Sequence, residues 1–218
     1  MDRALIFDFD GTLVDSEPLH ALALEEVLAP LGMAFDHALC VGLPDADVIS
    51  GVFARHGQPL PPEDLERLMR AKSAAASRLW ERGLGTPYAG AVELLTSAAS
   101  EGWKVAVCTA AMRREAGPVL ERLGVTRHLS AFVTADDVAQ SKPDPACYEL
   151  TCRRLDLPPS RCVVLEDSVA GAMAGLGAGC FVVGLGHTTP PQRLPRTPRT
   201  ARHISELTPE LLGGWLDA

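Results

Sequence analysis

Residues Ala4 to His20 read ALIFDFDGTLVDSEPLH, an apolar run of strand character that closes on two aspartates, Asp8 and Asp10. A buried carboxylate is costly without a partner, and two side by side repel one another. Whatever makes the pair tolerable must come from elsewhere in the chain.

Three further apolar, β-branched runs resemble the first: Lys104–Thr109, Cys162–Glu166 and Cys180–Leu185, with Ala131–Thr134 as a weaker fifth. Near-continuous apolar runs separated by helical segments are expected of parallel strands covered on both faces. Helices are predicted at Ala89–Ser100, Pro118–Leu123, Pro145–Leu155 and Ser168–Leu176. The alternation predicts an α/β fold, a Rossmann-like open parallel sheet with right-handed crossovers.

The stretch from Ser16 to Gly85 has no strand-like run. Leu19, Leu22, Ala23, Val27, Leu28 and Leu31 keep helical spacing, as do Val48, Ile49, Val52 and Phe53, then Leu65, Leu68, Met69, Lys72, Ala76 and Leu79. Gly32, Gly57 and Gly83 stand where these helices should stop. The expectation is an all-helical cap domain over 16–85 inserted into an α/β core made of 1–15 and 86–218, with two connecting segments as a hinge. Near the end, His187–Arg202 (HTTPPQRLPRTPRTAR) is read as a solvated, extended loop before a short terminal helix.

Composition narrows the partners. A formal net charge of -8 argues against nucleic acid, which selects basic surfaces. Six cysteines without a CxxC pair, and no apolar run of the roughly 18 residues a membrane span requires, predict a reduced, soluble, cytoplasmic protein that binds no membrane. A monomer is expected, because no long exposed apolar stripe stands out.

Ligands of open α/β sheets bind beyond the carboxyl ends of the strands. Asp8-Phe9-Asp10-Gly11-Thr12, Thr109-Ala110-Ala111, Ser141-Lys142-Pro143 and Glu166-Asp167-Ser168 all follow predicted strands. One crevice therefore collects up to four carboxylates, a lysine and a hydroxyl. All-oxygen ligation without a His or Cys cluster points to Mg2+, which keeps its waters and grips a phosphate together with one or two carboxylates. Lys142 and Thr109 suit the remaining oxygens of a phosphoryl group. One aspartate would attack phosphorus and the other would handle the proton on the leaving oxygen.

In their order, DFDGTLVDS, the threonine of VAVCTA, SKPDP and VVLEDSVAGAMAG resemble the four motifs of the haloacid dehalogenase (HAD) superfamily over nearly the whole chain. The insert after the first motif resembles the cap of subfamily I, the group of β-phosphoglucomutase-like phosphatases. The resemblance implies that Asp8 is the nucleophile, forming an aspartyl-phosphate, and a Mg2+ ligand. It implies that Asp10 protonates the leaving group, then activates water, with its carbonyl on the metal. Thr109 and Lys142 would hold phosphoryl oxygens; Asp167 would ligate the metal, with Glu166 in either its first or second ligand shell.

Within the superfamily a dehalogenase needs neither Asp10 nor a metal, so phosphoryl transfer is expected. Asp45 stands where a mutase carries an arginine after the cap glycine matched by Gly42, and Met112 where it carries a lysine. Both departures favour a phosphatase acting on a small phosphorylated metabolite over a β-phosphoglucomutase-type isomerase. Gly11, His20, Gly42, Lys72 and Ala110 are expected to line the substrate. His20 is either a proton shuttle near Asp10 or a helix-surface histidine, and Lys72 either a substrate cation or a snorkelling lysine.

Overall fold

The computed structural model describes residues 2–36, 40, 45–82 and 84–217. The chain divides into two compact units, residues 1–15 with 86–218, and residues 16–85.

The first unit is built on β1 (Ala4–Phe7), in which every side chain is buried. A strand hydrogen-bonded on both edges and covered on both faces has no polar side, which is why its sequence is an unbroken apolar run. Its neighbours are β4 (Lys104–Cys108) and β6 (Cys162–Glu166); β5 (Leu129–Val133), β7 (Phe181–Leu185) and β8 (Arg199–Ala201) complete a six-stranded sheet of order β5-β4-β1-β6-β7-β8. All of its pairings are parallel. A short antiparallel pair, β2 (Val14–Asp15) with β3 (Thr86–Pro87), joins the segments flanking the insert.

Side chains alternate across the sheet. Ala4, Ile6, Ala106, Cys108, Val133 and Val164 point to the face covered by α6 (Ala146–Leu155) and α7 (Val169–Gly177), where Tyr148, Cys152 and Leu155 close the core. Burying each large aliphatic or aromatic side chain contributes roughly 1.5–3 kcal/mol. Helix α4 (Ala91–Ser100) packs on β4 and is itself covered by α8 (Pro209–Leu216).

The sequence places a helix at Pro118–Leu123, whereas α5 runs from Arg113 to Arg122 with Pro118 inside it. The helix starts early because the Glu115 carboxylate accepts the Met112 N–H at 2.9 Å, an N-terminal cap that satisfies a donor the helix leaves unpaired. The Pro/Arg-rich stretch is not wholly a loop, since Arg199–Ala201 pairs with β7. An edge strand needs no apolar run: Arg199 and Thr200 are exposed and only Ala201 is buried.

The second unit holds α1 (Glu17–Leu28), α2 (Asp45–Arg55) and α3 (Pro62–Glu81). Leu24, Leu28, Val48, Ile49, Val52, Phe53 and Leu68 form its core. Leu22 and Leu31, counted among the apolar positions of the first helical stretch, point outward at 44% and 48% exposure. Gly32 and Gly57 adopt the left-handed conformation of helix ends, and Gly83 lies outside the described residues. Among the described residues no helix is long and apolar enough to cross a membrane.

Candidate active site

Strand register assembles the site. Phe7 pairs with Val107 on one side and Leu165 on the other, so the next residues, Asp8, Cys108 and Glu166, emerge together at one sheet edge. Asp8 is buried, and its N–H donates to the Leu165 carbonyl at 3.0 Å. The chain then turns tightly: the N–H groups of Leu13 and Val14 donate to the Phe9 carbonyl, and that of Gly11 to the Val14 carbonyl. Gly11 has φ +76°, and a Cβ there would lie 2.2 Å from Asp167 Oδ2. Glycine is required on both counts, by the backbone angle and by the close approach of the carboxylate. Asp10 is half-buried in the same turn.

Lys142 is the hub. Its Nζ donates to Asp8 Oδ1 at 2.6 Å, to Glu166 Oε1 at 2.6 Å and to the Cys108 carbonyl at 3.2 Å, which engages all three ammonium protons. The ammonium lies 4.9 Å from the centre of the Tyr148 ring, whose hydroxyl donates to Glu166 Oε1 at 2.6 Å. The other Glu166 oxygen accepts from the Ser168 hydroxyl at 3.0 Å. Glu166 is fully buried, and a Cβ on Gly171 would collide with it at 1.8 Å, so α7 can pass this close only as glycine. Asp167 accepts from the Thr12 hydroxyl at 2.9 Å and from the Thr188 hydroxyl.

Charge in this cluster is unbalanced. Burial, then the Glu166 carboxylate, push the Asp8 carboxyl well above the usual range, against the pull of Lys142. The same two causes lift Asp167 to about 7. Burial works against the Lys142 ammonium, but Asp8 and Glu166 together raise its pKa well above the ordinary lysine value and keep it charged. Such a site calls for added positive charge. Ligand oxygens of Asp8, Glu166 and Asp167 all lie within 4.8 Å of one another, an all-oxygen donor set that fits a hard divalent cation.

Thr109 is buried at the end of β4, where its Oγ1 accepts the Ala111 N–H at 2.9 Å. Ala110 lies between the two, in the turn after β4. His20 and Lys72 belong to the second unit and meet there. Lys72 is only 4% exposed, with Nζ 2.7 Å from Asp45 Oδ2 and 2.8 Å from His20 Nδ1. It is thus no snorkelling surface lysine, and its charge is answered within its own unit. Gly42 lies outside the described residues.

The sequence places Thr12 at the end of the first strand without giving it a role, and Tyr148, His187 and Thr188 are not singled out. Tyr148 carried a signal, a hydroxyl on the face of a predicted core helix. Thr188 and His187 carried none, because they sit in a stretch read as solvated loop.

The haloacid dehalogenase-like hydrolase model matches residues 3–179. The chain belongs to this family of hydrolases. Members generally use a divalent metal, and this hydrolase has the acidic cluster for one. It is 30% identical over 210 residues to validoxylamine A 7'-phosphate phosphatase of Streptomyces hygroscopicus subsp. limoneus, covering 95% of this chain and 96% of the relative. It is also 27% identical to the beta-phosphoglucomutase of Bacillus subtilis, over 96% of this chain and 93% of that one. Among solved structures, CbbY from Rhodobacter sphaeroides in complex with xylulose-(1,5)bisphosphate matches with a TM-score of 0.74 and 28% identity, covering 95% of this chain and 96% of that chain.

Proposed function

We propose that this hydrolase is a Mg2+-dependent phosphatase that cleaves a small phosphorylated metabolite, a sugar phosphate, through an aspartyl-phosphate on Asp8. The observation that carries the reading is the pairing of Asp8 with Lys142 at 2.6 Å inside a buried acidic cluster. Similarity to a validoxylamine A 7'-phosphate phosphatase and to a phosphorylated carbohydrates phosphatase supports it.

In the first step an Asp8 oxygen attacks phosphorus, the bond from phosphorus to the ester oxygen breaks, and Asp10 gives its proton to the departing alcohol. In the second step Asp10 takes a proton from water as that water attacks the phosphorus, releasing phosphate and restoring the Asp8 carboxylate. Lys142 pulls against the burial and the Glu166 charge that oppose ionisation of Asp8, and offsets charge as the phosphoryl group approaches. The Thr109 hydroxyl, with its oxygen already fixed by the Ala111 N–H, donates its hydrogen to a phosphoryl oxygen. Asp8 and Asp167, with the Asp10 carbonyl, would hold Mg2+, which would supply positive charge to offset the repulsion between carboxylate and phosphate. Glu166, committed to Lys142, Tyr148 and Ser168, acts first as the partner of the lysine.

A second reading, phosphomutase, is favoured by the likeness to beta-phosphoglucomutase. Against it, Asp45 already neutralises the buried Lys72, which leaves that lysine poorly suited to a second phosphate. A monomer in the reducing cytoplasm completes the proposal, and the six free cysteines support the reducing compartment.

The test is a panel of sugar phosphates incubated with Mg2+ or with chelator, reading free phosphate, beside Asp8→Asn. Mg2+-dependent release that is absent from Asp8→Asn is expected. Undiminished release by Asp8→Asn would falsify the nucleophile assignment, and conversion of β-glucose 1-phosphate to glucose 6-phosphate without free phosphate would establish the mutase.

A further inference from the structure

The loop after β7 sets His187 against the outer side of the Asp8–Leu13 turn. His187 Nδ1 lies 3.0 Å from the Gly11 carbonyl oxygen, and the Ile204 N–H donates to His187 Nε2 at 3.0 Å. An acceptor on one side and a donor on the other assign the neutral ring with its proton on Nδ1, donating to Gly11. The ring stacks on Tyr88 with centroids 4.0 Å apart and packs against His203 at 4.6 Å. Tyr88 in turn donates its N–H to the Leu13 carbonyl at 3.1 Å. Two carbonyls of the turn, Gly11 and Leu13, are therefore held from one wall.

That wall acts on the acidic cluster through a planar peptide. In a trans peptide the carbonyl and the following N–H point in opposite directions, so fixing the Gly11 carbonyl fixes the direction of the Thr12 N–H. The same turn carries Asp8 and Asp10, its Thr12 hydroxyl holds Asp167, and its Gly11 Cα abuts the Asp167 carboxylate. Rotation of the Gly11–Thr12 peptide would therefore disturb both sides of the cluster. We infer that His187 is a positioning residue: its Nδ1–H bond to Gly11 sets the Gly11–Thr12 peptide and thereby the alignment of Asp8 and Asp10 with Asp167. The inference rests on the phosphatase reading for its kinetic consequence, and on the hydrogen bonds alone for its structural one.

Two near-isosteric variants separate the donor from the acceptor. His187→Asn keeps an N–H near the Nδ1 position, whereas His187→Gln keeps an acceptor near Nε2 and loses the donor to Gly11. With the substrate that the wild type hydrolyses best, His187→Gln is expected to lower kcat about ten- to a hundredfold, the loss a small misalignment of reacting groups produces, with KM within about twofold. His187→Asn restores kcat to within about threefold of wild type. Amide hydrogen exchange at Thr12 and Leu13 is expected to accelerate in His187→Gln and to stay near wild type in His187→Asn. Equal losses in the two variants, or unchanged exchange in both, would overturn the inference. If His187→Gln does not fold, His187→Leu replaces it in the same comparison. A wild type that hydrolyses no sugar phosphate defeats the phosphatase reading only, since the exchange comparison still decides the role of His187.

Discussion

The Lys142 ammonium stands 2.6 Å from the Asp8 carboxylate, with only 7% and 9% of the two side chains exposed. On its other flank the same nitrogen reaches Glu166, again at 2.6 Å. Charges this deeply buried are tolerable only while they remain paired. Removing one member of a buried pair costs about 3–5 kcal/mol, because the remaining charge loses its partner. Lys142→Met is therefore expected to lower unfolding free energy by about that amount, measured in urea, and to abolish turnover. Lys142→Arg should not rescue either property, since a planar fork cannot replace a compact ammonium shared among Asp8, Glu166 and the Cys108 carbonyl.

Asp8→Asn should separate stability from activity. Three buried carboxylates face one lysine here, and Glu166 and Asp167 both oppose the ionisation of Asp8. The amide keeps an oxygen for Lys142 and removes that repulsion. Without divalent cation the variant is expected to melt at or above the wild-type temperature while releasing no phosphate. A clearly lower Tm would show that the Asp8–Lys142 attraction outweighs the repulsion.

The carboxyl shifts imply a pH dependence with a definite sign. Asp167 rises from 3.8 unfolded to about 7 folded, and Asp8 moves the same way. Over that window the folded state binds more protons than the unfolded one, so this stabilisation is complete below the unfolded value and is lost as pH rises through the folded value. Tm measured in chelator should accordingly fall between about pH 4 and pH 7. A divalent cation competes with those protons, so the Tm increase on adding Mg2+ should be larger at pH 8 than at pH 5. Thermal-shift curves at the two values check this, and a larger increase at pH 5 would contradict it.

Two helix glycines, in α2 and α7, make a matched pair. Gly51→Ala in α2 meets only the Arg55 guanidinium, at 3.5 Å, and should stabilise by about 0.5–1 kcal/mol, the ordinary helix preference for alanine. Gly171→Ala in α7 places its Cβ 1.8 Å from Glu166 Oε1 and should destabilise by about 1–3 kcal/mol despite the same preference. Urea denaturation of both variants tests whether close packing on Glu166 governs α7.

The central strands were legible because burial on both faces leaves an unbroken apolar record, as in ALIF and CVVLE. The edge strand Arg199–Ala201 left no such record, since one side of it faces solvent and its pairing uses backbone groups common to every residue. Proline misdirected the start of α5, because Pro118 is a strong local signal whereas the Glu115 cap depends on a side chain three residues beyond the position it caps. Tyr148 escaped notice for a similar reason: its helix face was readable as apolar, but its hydroxyl partner, Glu166, lies at the end of β6.

By itself the sequence determined which polar residues close which strands, because strand burial and its termination are local properties written into short runs. It placed Asp8, Thr109, Lys142, Glu166 and Asp167 at one edge of an α/β sheet. Only the tertiary structure decided how they divide among themselves. Lys142 reaches Asp8 across 134 positions of chain and Thr12 reaches Asp167 across 155. Which acceptor takes each ammonium proton, and which histidine holds the turn, follows from loop paths and from the strong preference of buried polar groups for hydrogen-bond partners. Those partners are set by three-dimensional proximity, which no spacing along the chain records.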